Sequence, residues 1–126
     1  MIHHVMVNVS DFAKAKDYYL KTLQPLGYSI ALEFPEYSIV GFGQAGFPEF
    51  IINAKGPVSQ TTHVALTAPT KEAVDTFYNA AIAAGGKDNG KPGYRKEYAP
   101  GYYGAFVHDA DGNNIEAVFM DPNPGA

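Results

Sequence analysis

Valine recurs at every second position from residue 5 to residue 9, which predicts a β-strand over residues 2–9. The valine face of such a strand would pack against a helix. The opposite face is more mixed and carries Ile2, His4, Met6 and Asn8. The strand therefore leaves one histidine on a face that is not needed for the core.

A helix is predicted to follow, because Ser10 and Asp11 can cap it and apolar residues then recur at helical spacing. Pro25 and Gly27 should end this helix. Three short strands are predicted next, over residues 28–32, 37–42 and 50–52, with glycine and proline between them.

The same pattern restarts after a connector at residues 55–57. We predict a strand over 62–67 and a helix from about residue 70 to Gly85. Residues 87–101 are rich in glycine and proline, and we expect a long loop with one short strand. Two final strands, 103–108 and 114–120, are joined by a turn over 109–113.

The two halves form an internal repeat. His4 precedes an aromatic pair at residues 18–19, and His63 precedes a second aromatic pair at residues 77–78, in both cases by 14 residues. We therefore predict a single α+β domain over residues 1–126, with pseudo-repeats at about 1–56 and 57–121. The two halves would share a curved mixed sheet, with both helices on its outer face and an open inner face.

Composition excludes several classes of protein. The chain has 126 residues, a formal net charge of -4 and no cysteine, so disulfide and thiol chemistry are excluded. Because no basic patch is visible, we expect no nucleic-acid partner. No run is apolar enough to span a bilayer and no secretory signal is visible, so we expect no membrane partner and a cytoplasmic location.

Alternation places three polar residues on the inner face. His4, His63 and Glu116 all lie opposite the apolar positions of their own strands. A buried carboxylate is costly unless it has partners. Two imidazoles and a carboxylate around a divalent cation satisfy one another and leave coordination positions open. The alternative is that each histidine is an ordinary core or surface residue.

A second group of candidates lies between residues 94 and 103. Five residues there are expected at the rim of the inner face: Tyr94, Arg95, Tyr98, Tyr102 and Tyr103. As substrate residues, Arg95 would anchor an anion, while Tyr94 and Tyr102 would form walls or donate hydrogen bonds. Tyr98 and Tyr103 are candidates for proton handling. The alternative is an aromatic-rich loop that only covers the sheet or forms a dimer contact.

These segments resemble the glyoxalase/bleomycin-resistance/extradiol-dioxygenase (vicinal oxygen chelate) superfamily. The resemblance rests on HVMVNVSD from His4, on HVAL from His63 and above all on YGAFVHDADGNNIE, which ends at Glu116. It covers residues 2–120 and implies paired βαβββ modules, in which His4, His63 and Glu116 are metal ligands. It also implies a homodimer.

The sequence departs from the glyoxalase I pattern at the fourth metal ligand. Ile51 stands where those proteins have a glutamate, and Glu49, two residues earlier, could reach the site only with a register shift. Three ligands are closer to the dioxygenase pattern, and this departure argues against a glutathione-dependent isomerase.

Two functions fit these observations, and a purely structural or interaction module is a third, weaker one. The first is a metal-dependent enzyme, a lyase, isomerase or dioxygenase. Its Fe, Mn, Zn or Ni ion would bind a small oxygen-chelating substrate, with Glu116 among the catalytic groups. The second is a metal-free protein of the bleomycin-resistance type that binds a drug or metabolite.

Overall fold

The computed structural model describes residues 1–58 and 62–124. Residues 59–61, 125 and 126 of the predicted domain lie outside this description. The first half contains β1 (Val5–Asn8), α1 (Phe12–Leu23), β2 (Ser29–Phe34), β3 (Ile39–Gly43) and β4 (Phe50–Asn53). The second half contains β5 (His63–Thr67), α2 (Lys71–Ala83), β6 (Lys87–Tyr94), β7 (Tyr102–His108) and β8 (Asn114–Met120). The predicted βαβββ order is confirmed in both halves.

Each half forms its own four-stranded mixed sheet, so the halves contribute two sheets where the sequence predicted one shared sheet. The strand order is β1-β4-β3-β2 in the first sheet and β5-β8-β7-β6 in the second. In both sheets the first strand is parallel to its neighbour and the other pairs are antiparallel. β1 and β5 are therefore edge strands at equivalent places in the two sheets. The α+β glyoxalase-like fold predicted from the sequence is confirmed.

The helices begin where their capping residues predict. The carboxylate of Asp11 accepts a hydrogen bond from the backbone N–H of Lys14 at 3.1 Å. The hydroxyl of Thr70 accepts one from the N–H of Ala73 at 3.0 Å. The chain leaves α1 through Gly27, whose φ of 86° is in the left-handed region that glycine adopts without strain.

The core is one hydrophobic cluster to which both halves contribute, because α1 and α2 contact each other and each packs on its own sheet. Its fully buried members include Tyr19, Leu23, Phe42, Phe50, Ile52, Val74, Phe77, Val107 and Ile115. On β5 and β8, residues His63, Ala65 and Glu116 alternate with the core residues Val64, Leu66 and Ile115, so they lie on the opposite face of the sheet. No helix among the described residues is long and apolar enough to cross a bilayer.

Strand β6 is longer than the sequence predicted. Its eight residues lack an apolar alternation, and its pairing with β7 shifts register around Gly90. β2, the corresponding outer edge of the first sheet, also shifts register, between Ile30 and Leu32. Backbone pairing rather than side-chain burial holds β6 in place, which explains why its sequence is that of a loop.

The β7–β8 turn connects the two halves through a buried carboxylate. Asp109 is 5% exposed and accepts a hydrogen bond from the hydroxyl of Tyr19, on α1, at 2.5 Å. It also accepts bonds from the backbone and side-chain amides of Asn113, both at 2.8 Å, and from the N–H of Asp111 at 2.9 Å. The turn thus fixes the second half against the helix of the first.

We expect Asp109→Ala to lower the free energy of unfolding by about 3 kcal/mol, because it leaves buried donors without an acceptor. Urea denaturation of the whole chain measures this. Asp17→Ala is the matched control: its carboxylate pairs with Lys21 on the exposed surface of α1, and its loss should cost less than about 0.5 kcal/mol. Equal effects of the two substitutions would contradict this role of Asp109.

Candidate functional site

A buried carboxylate lies on the face of the second sheet that points away from the helices. Glu116 on β8 is 2% exposed. Its neighbours on this face are Ala65 of β5, through the parallel ladder, and Phe106 of β7, through the antiparallel ladder. We call this surface, defined by His63, Tyr102, Phe106 and Glu116, the open face.

Both carboxylate oxygens of Glu116 have a partner. The Nε2 atom of His63 lies 2.9 Å from Oε1, and the hydroxyl of Tyr102 donates a hydrogen bond to Oε2. His63 is the exposed member of the trio, since half of its side chain is accessible. Two of the three predicted metal ligands, His63 and Glu116, are therefore in contact.

The hydroxyl of Tyr102 is held in its protonated form. Burial, and then the hydrogen bond to Glu116, raise the pKa of Tyr102 well above its ordinary value. Gly104 leaves the space for this contact, because a Cβ atom there would lie 3.2 Å from Cε1 of Tyr102 and 3.6 Å from Oε2 of Glu116. At neutral pH the tyrosine is a donor that fixes one carboxylate oxygen.

The third predicted ligand, His4, lies next to the first sheet. It is exposed, and its Nδ1 atom is 2.9 Å from Nδ1 of His3, whose ring packs on Phe47. His4 and His63 both line a cleft of about 530 Å³ between the N-terminal segment and β5. Within residues 1–58 and 62–124, however, no three histidine or acidic side chains are close enough to hold an ion.

The equivalent of Glu116 in the first sheet is Ile51. Met6, two residues after His4, pairs with Ile51 in the parallel ladder of the first sheet. In the same way Ala65, two residues after His63, pairs with Glu116 in the second sheet. Glu49 instead accepts a long hydrogen bond from the hydroxyl of Tyr28, at 3.4 Å. The register thus places an apolar side chain at the fourth-ligand position, as the sequence predicts.

The predicted rim residues divide between two faces. Arg95 and Tyr98 accompany Tyr102 on the open face: Arg95 lies 5.5 Å over the ring of Phe106, and the Tyr98 ring is 5.2 Å from that of Tyr102. Tyr98 is 61% exposed, at the edge of the face.

Tyr94 and Tyr103 lie on the helix side of the same sheet. The hydroxyl of Tyr103 donates to Asp75 on α2 at 2.7 Å, and that of Tyr94 donates to Asp121 at 2.6 Å. Burial, followed by the bond to Asp75, raises the pKa of Tyr103 to about 12. The structure does not bring these two residues to Glu116, and their predicted roles in substrate binding and proton handling stay predictions.

Phe106 belongs to the open face and was not predicted from the sequence. Its ring lies 6.2 Å from that of His63 and beneath Arg95. Alternation along β7 could have found it, because Phe106 is four residues after Tyr102 and therefore shares its face.

Comparison with known proteins gives a consistent result. The family model of the glyoxalase/bleomycin resistance protein/dioxygenase superfamily matches residues 1–117. The crystal structure of a glyoxalase/bleomycin resistance protein from Albidiferax ferrireducens T118 is similar, with a TM-score of 0.82 and 29% identity over 92% of this chain and 96% of that one. No curated protein matches the sequence.

Two further structures share the fold at lower identity. A glyoxalase/bleomycin resistance protein/dioxygenase family enzyme from Burkholderia phytofirmans PsJN has a TM-score of 0.69 at 20% identity, over 94% of this chain and 98% of that one. The hypothetical protein SA1046 from S. aureus has a TM-score of 0.67 at 24% identity, over 92% and 91%. Because the family model spans nearly the whole chain, this protein belongs to the glyoxalase/bleomycin resistance protein/dioxygenase superfamily.

Proposed function

We propose that this chain is a metal-dependent enzyme of the glyoxalase and dioxygenase type that acts on a small molecule with two neighbouring oxygen atoms. His63 and Glu116 are two of the protein ligands, and His4 is the third. The observation that carries the proposal is the 2.9 Å contact between Nε2 of His63 and Oε1 of Glu116 on the open face.

The residues present fit a divalent ion. The imidazole Nε2 of His63 and the Oε1 atom of Glu116 would be the two atoms that hold it, since they already lie next to each other on the open face. A histidine and a carboxylate suit Fe, Mn, Zn or Ni. Tyr102 holds the second oxygen of Glu116, and such partners of a ligand fix its orientation.

The chemistry follows from this arrangement. A divalent ion held by these residues would supply Lewis-acid chemistry for negative charge on substrate oxygens. The chain's own part is to hold Glu116 in one orientation, to present His63 at the surface and to line the open face with the Phe106 and Tyr98 rings. This arrangement fits the reaction types expected from the sequence: a lyase, an isomerase or a dioxygenase.

A second copy of the chain supplies His4 in this proposal. Within one chain His4 shares a cleft with His63, but its Nδ1 atom contacts His3, and His4, His63 and Glu116 are not close enough together to share an ion. β1 and β5 are both edge strands, so each leaves one side unpaired, and unpaired edges favour pairing with another chain. Met6 on β1 is an exposed apolar side chain, and Ile2 and Phe47, whose ring packs on His3, are exposed close to this strand. A homodimer that joins the first sheet of one copy to the second sheet of the other brings His4 to the open face.

One observation favours the metal-free alternative. Because His63 and Tyr102 already satisfy both oxygens of Glu116, the carboxylate is stable without an ion. The open face could then bind a drug or metabolite directly, as a bleomycin-resistance-type protein would. Metal content separates the two functions.

We expect protein purified without a chelator to contain about one divalent ion per chain, because three deprotonated ligands bind such ions tightly. His63→Ala and Glu116→Gln should each lose most of it, as measured by elemental analysis. His108→Ala is the matched control on β7 and should keep it. Equally low metal in the unmodified protein and in His63→Ala would reject the metal site and leave the binding function.

We expect Tyr102→Phe to weaken metal binding by about tenfold or more, because one oxygen of Glu116 loses the donor that fixes it. Competition with a coloured chelator measures the affinity. Tyr37→Phe, at a tyrosine that is 60% exposed, should leave the affinity unchanged. Identical affinities for the two variants would show that Tyr102 does not support the ligand.

Mixing two variants that each lack one metal ligand tests whether the metal site is shared between two copies of the chain. We expect His4→Ala and His63→Ala to bind little metal separately, and about a quarter of the normal content after they are unfolded and refolded together. Random pairing makes half of the dimers mixed, and each mixed dimer has one intact site of two. No recovery on mixing, with the unmodified protein metal-bound, would place all three ligands in one chain.

A further inference from the structure

Arg95 places a positive charge one ring away from the His63–Glu116 pair. Its guanidinium carbon is 5.5 Å from the centre of the Phe106 ring. Phe106 is the direct cross-strand neighbour of Glu116, and its ring centre is 6.2 Å from that of His63. The guanidinium therefore lies over the open face rather than out in the loop.

The guanidinium is fixed by backbone carbonyls. Its Nη1 atom donates to the carbonyl of Gly93 at 2.8 Å, and Nη2 donates to that of Lys91 at 2.7 Å. The backbone N–H of Arg95 donates to the carbonyl of Tyr102 at 2.7 Å, which ties the residue to β7. Since a guanidinium has five N–H groups, three remain available in a fixed orientation.

The surroundings of Arg95 leave its charge without a carboxylate partner. Among residues 1–58 and 62–124, no acidic oxygen lies within ion-pair distance of it. Gly90 makes room for the packing of Arg95 on the Phe106 ring, because a Cβ atom at position 90 would lie 2.9 Å from Cδ1 of Phe106 and 3.2 Å from Nη2 of Arg95. A partly buried, immobilised cation of this kind is suited to bind an anion.

We propose that Arg95 binds a carboxylate group of the small molecule that occupies the open face, with Phe106 packed beneath the contact. The planar guanidinium matches a carboxylate in shape. A single cation next to the charge of Glu116 favours a ligand with one negative charge over a doubly charged phosphate. The inference rests on the proposed function in that both use the open face, and it restricts the substrate class to carboxylic acids.

The experiment uses metal-free protein, so that the probe cannot bind through an ion. Benzoate is the probe, and benzamide is its uncharged match in size and shape. NMR titration reads the affinities from the amide signals of Arg95 and Phe106. We expect benzoate to bind at least about tenfold more tightly than benzamide, and Arg95→Gln to abolish this preference.

Two variants make the result specific. Lys96→Gln removes a charge from the exposed neighbouring residue and should preserve the preference for benzoate. Arg95→Lys keeps the positive charge but loses the planar donors, so it should retain only part of the preference for benzoate. Amide signals elsewhere in the spectrum report whether each variant is folded.

Equal affinities for benzoate and benzamide in the unmodified protein would overturn the proposal, and so would a preference that survives in Arg95→Gln. Either result is independent of metal content, which is measured on the His63 and Glu116 variants. Failure of this inference is thus distinguishable from failure of the proposed function.

Discussion

The buried carboxylate of Glu116 is the constraint on which the second sheet depends. A carboxyl group that is 2% exposed is costly to bury unless hydrogen bonds compensate for it. His63 approaches from β5 and Tyr102 from β7, so the strands on both sides of β8 must keep their register for both contacts to form. A side chain at position 104 would crowd the ring of Tyr102, so the contact between Tyr102 and Glu116 also depends on Gly104. The same contacts that stabilise the carboxyl group orient it for a ligand.

Much of the fold could be predicted from the sequence because burial leaves a strong periodic signal. The alternating valines of β1 predicted the first strand. The equal spacing from His4 to the aromatic pair of the first helix, and from His63 to that of the second, predicted two βαβββ halves. β6 was beyond such reasoning, because Lys87–Tyr94 pairs through its backbone at an edge and buries little apolar surface. A strand without that burial has no periodic signature.

The site was predictable only in part, for a geometric reason. Alternation states which face a side chain occupies, and it correctly put His63 and Glu116 on one face. It cannot state how two separate sheets are placed, so the position of His4 relative to that pair did not follow. Tyr102 and Tyr103 are neighbours on one strand and must point in opposite directions, so alternation could have separated them.

The irregular outer edges limit how the protein can assemble. β2 and β6 both shift register, and β6 contains Pro92, which has no N–H to offer a neighbouring strand. Among the four edge strands that the structure describes, β1 and β5 are the two that pair with their neighbours, β4 and β8, in an unbroken register. If two copies pair through the edges of β1 and β5, as proposed above, the outer edges that remain among the described residues are the irregular β2 and β6. Irregular edges of this kind disfavour the strand-to-strand addition that builds a fibril.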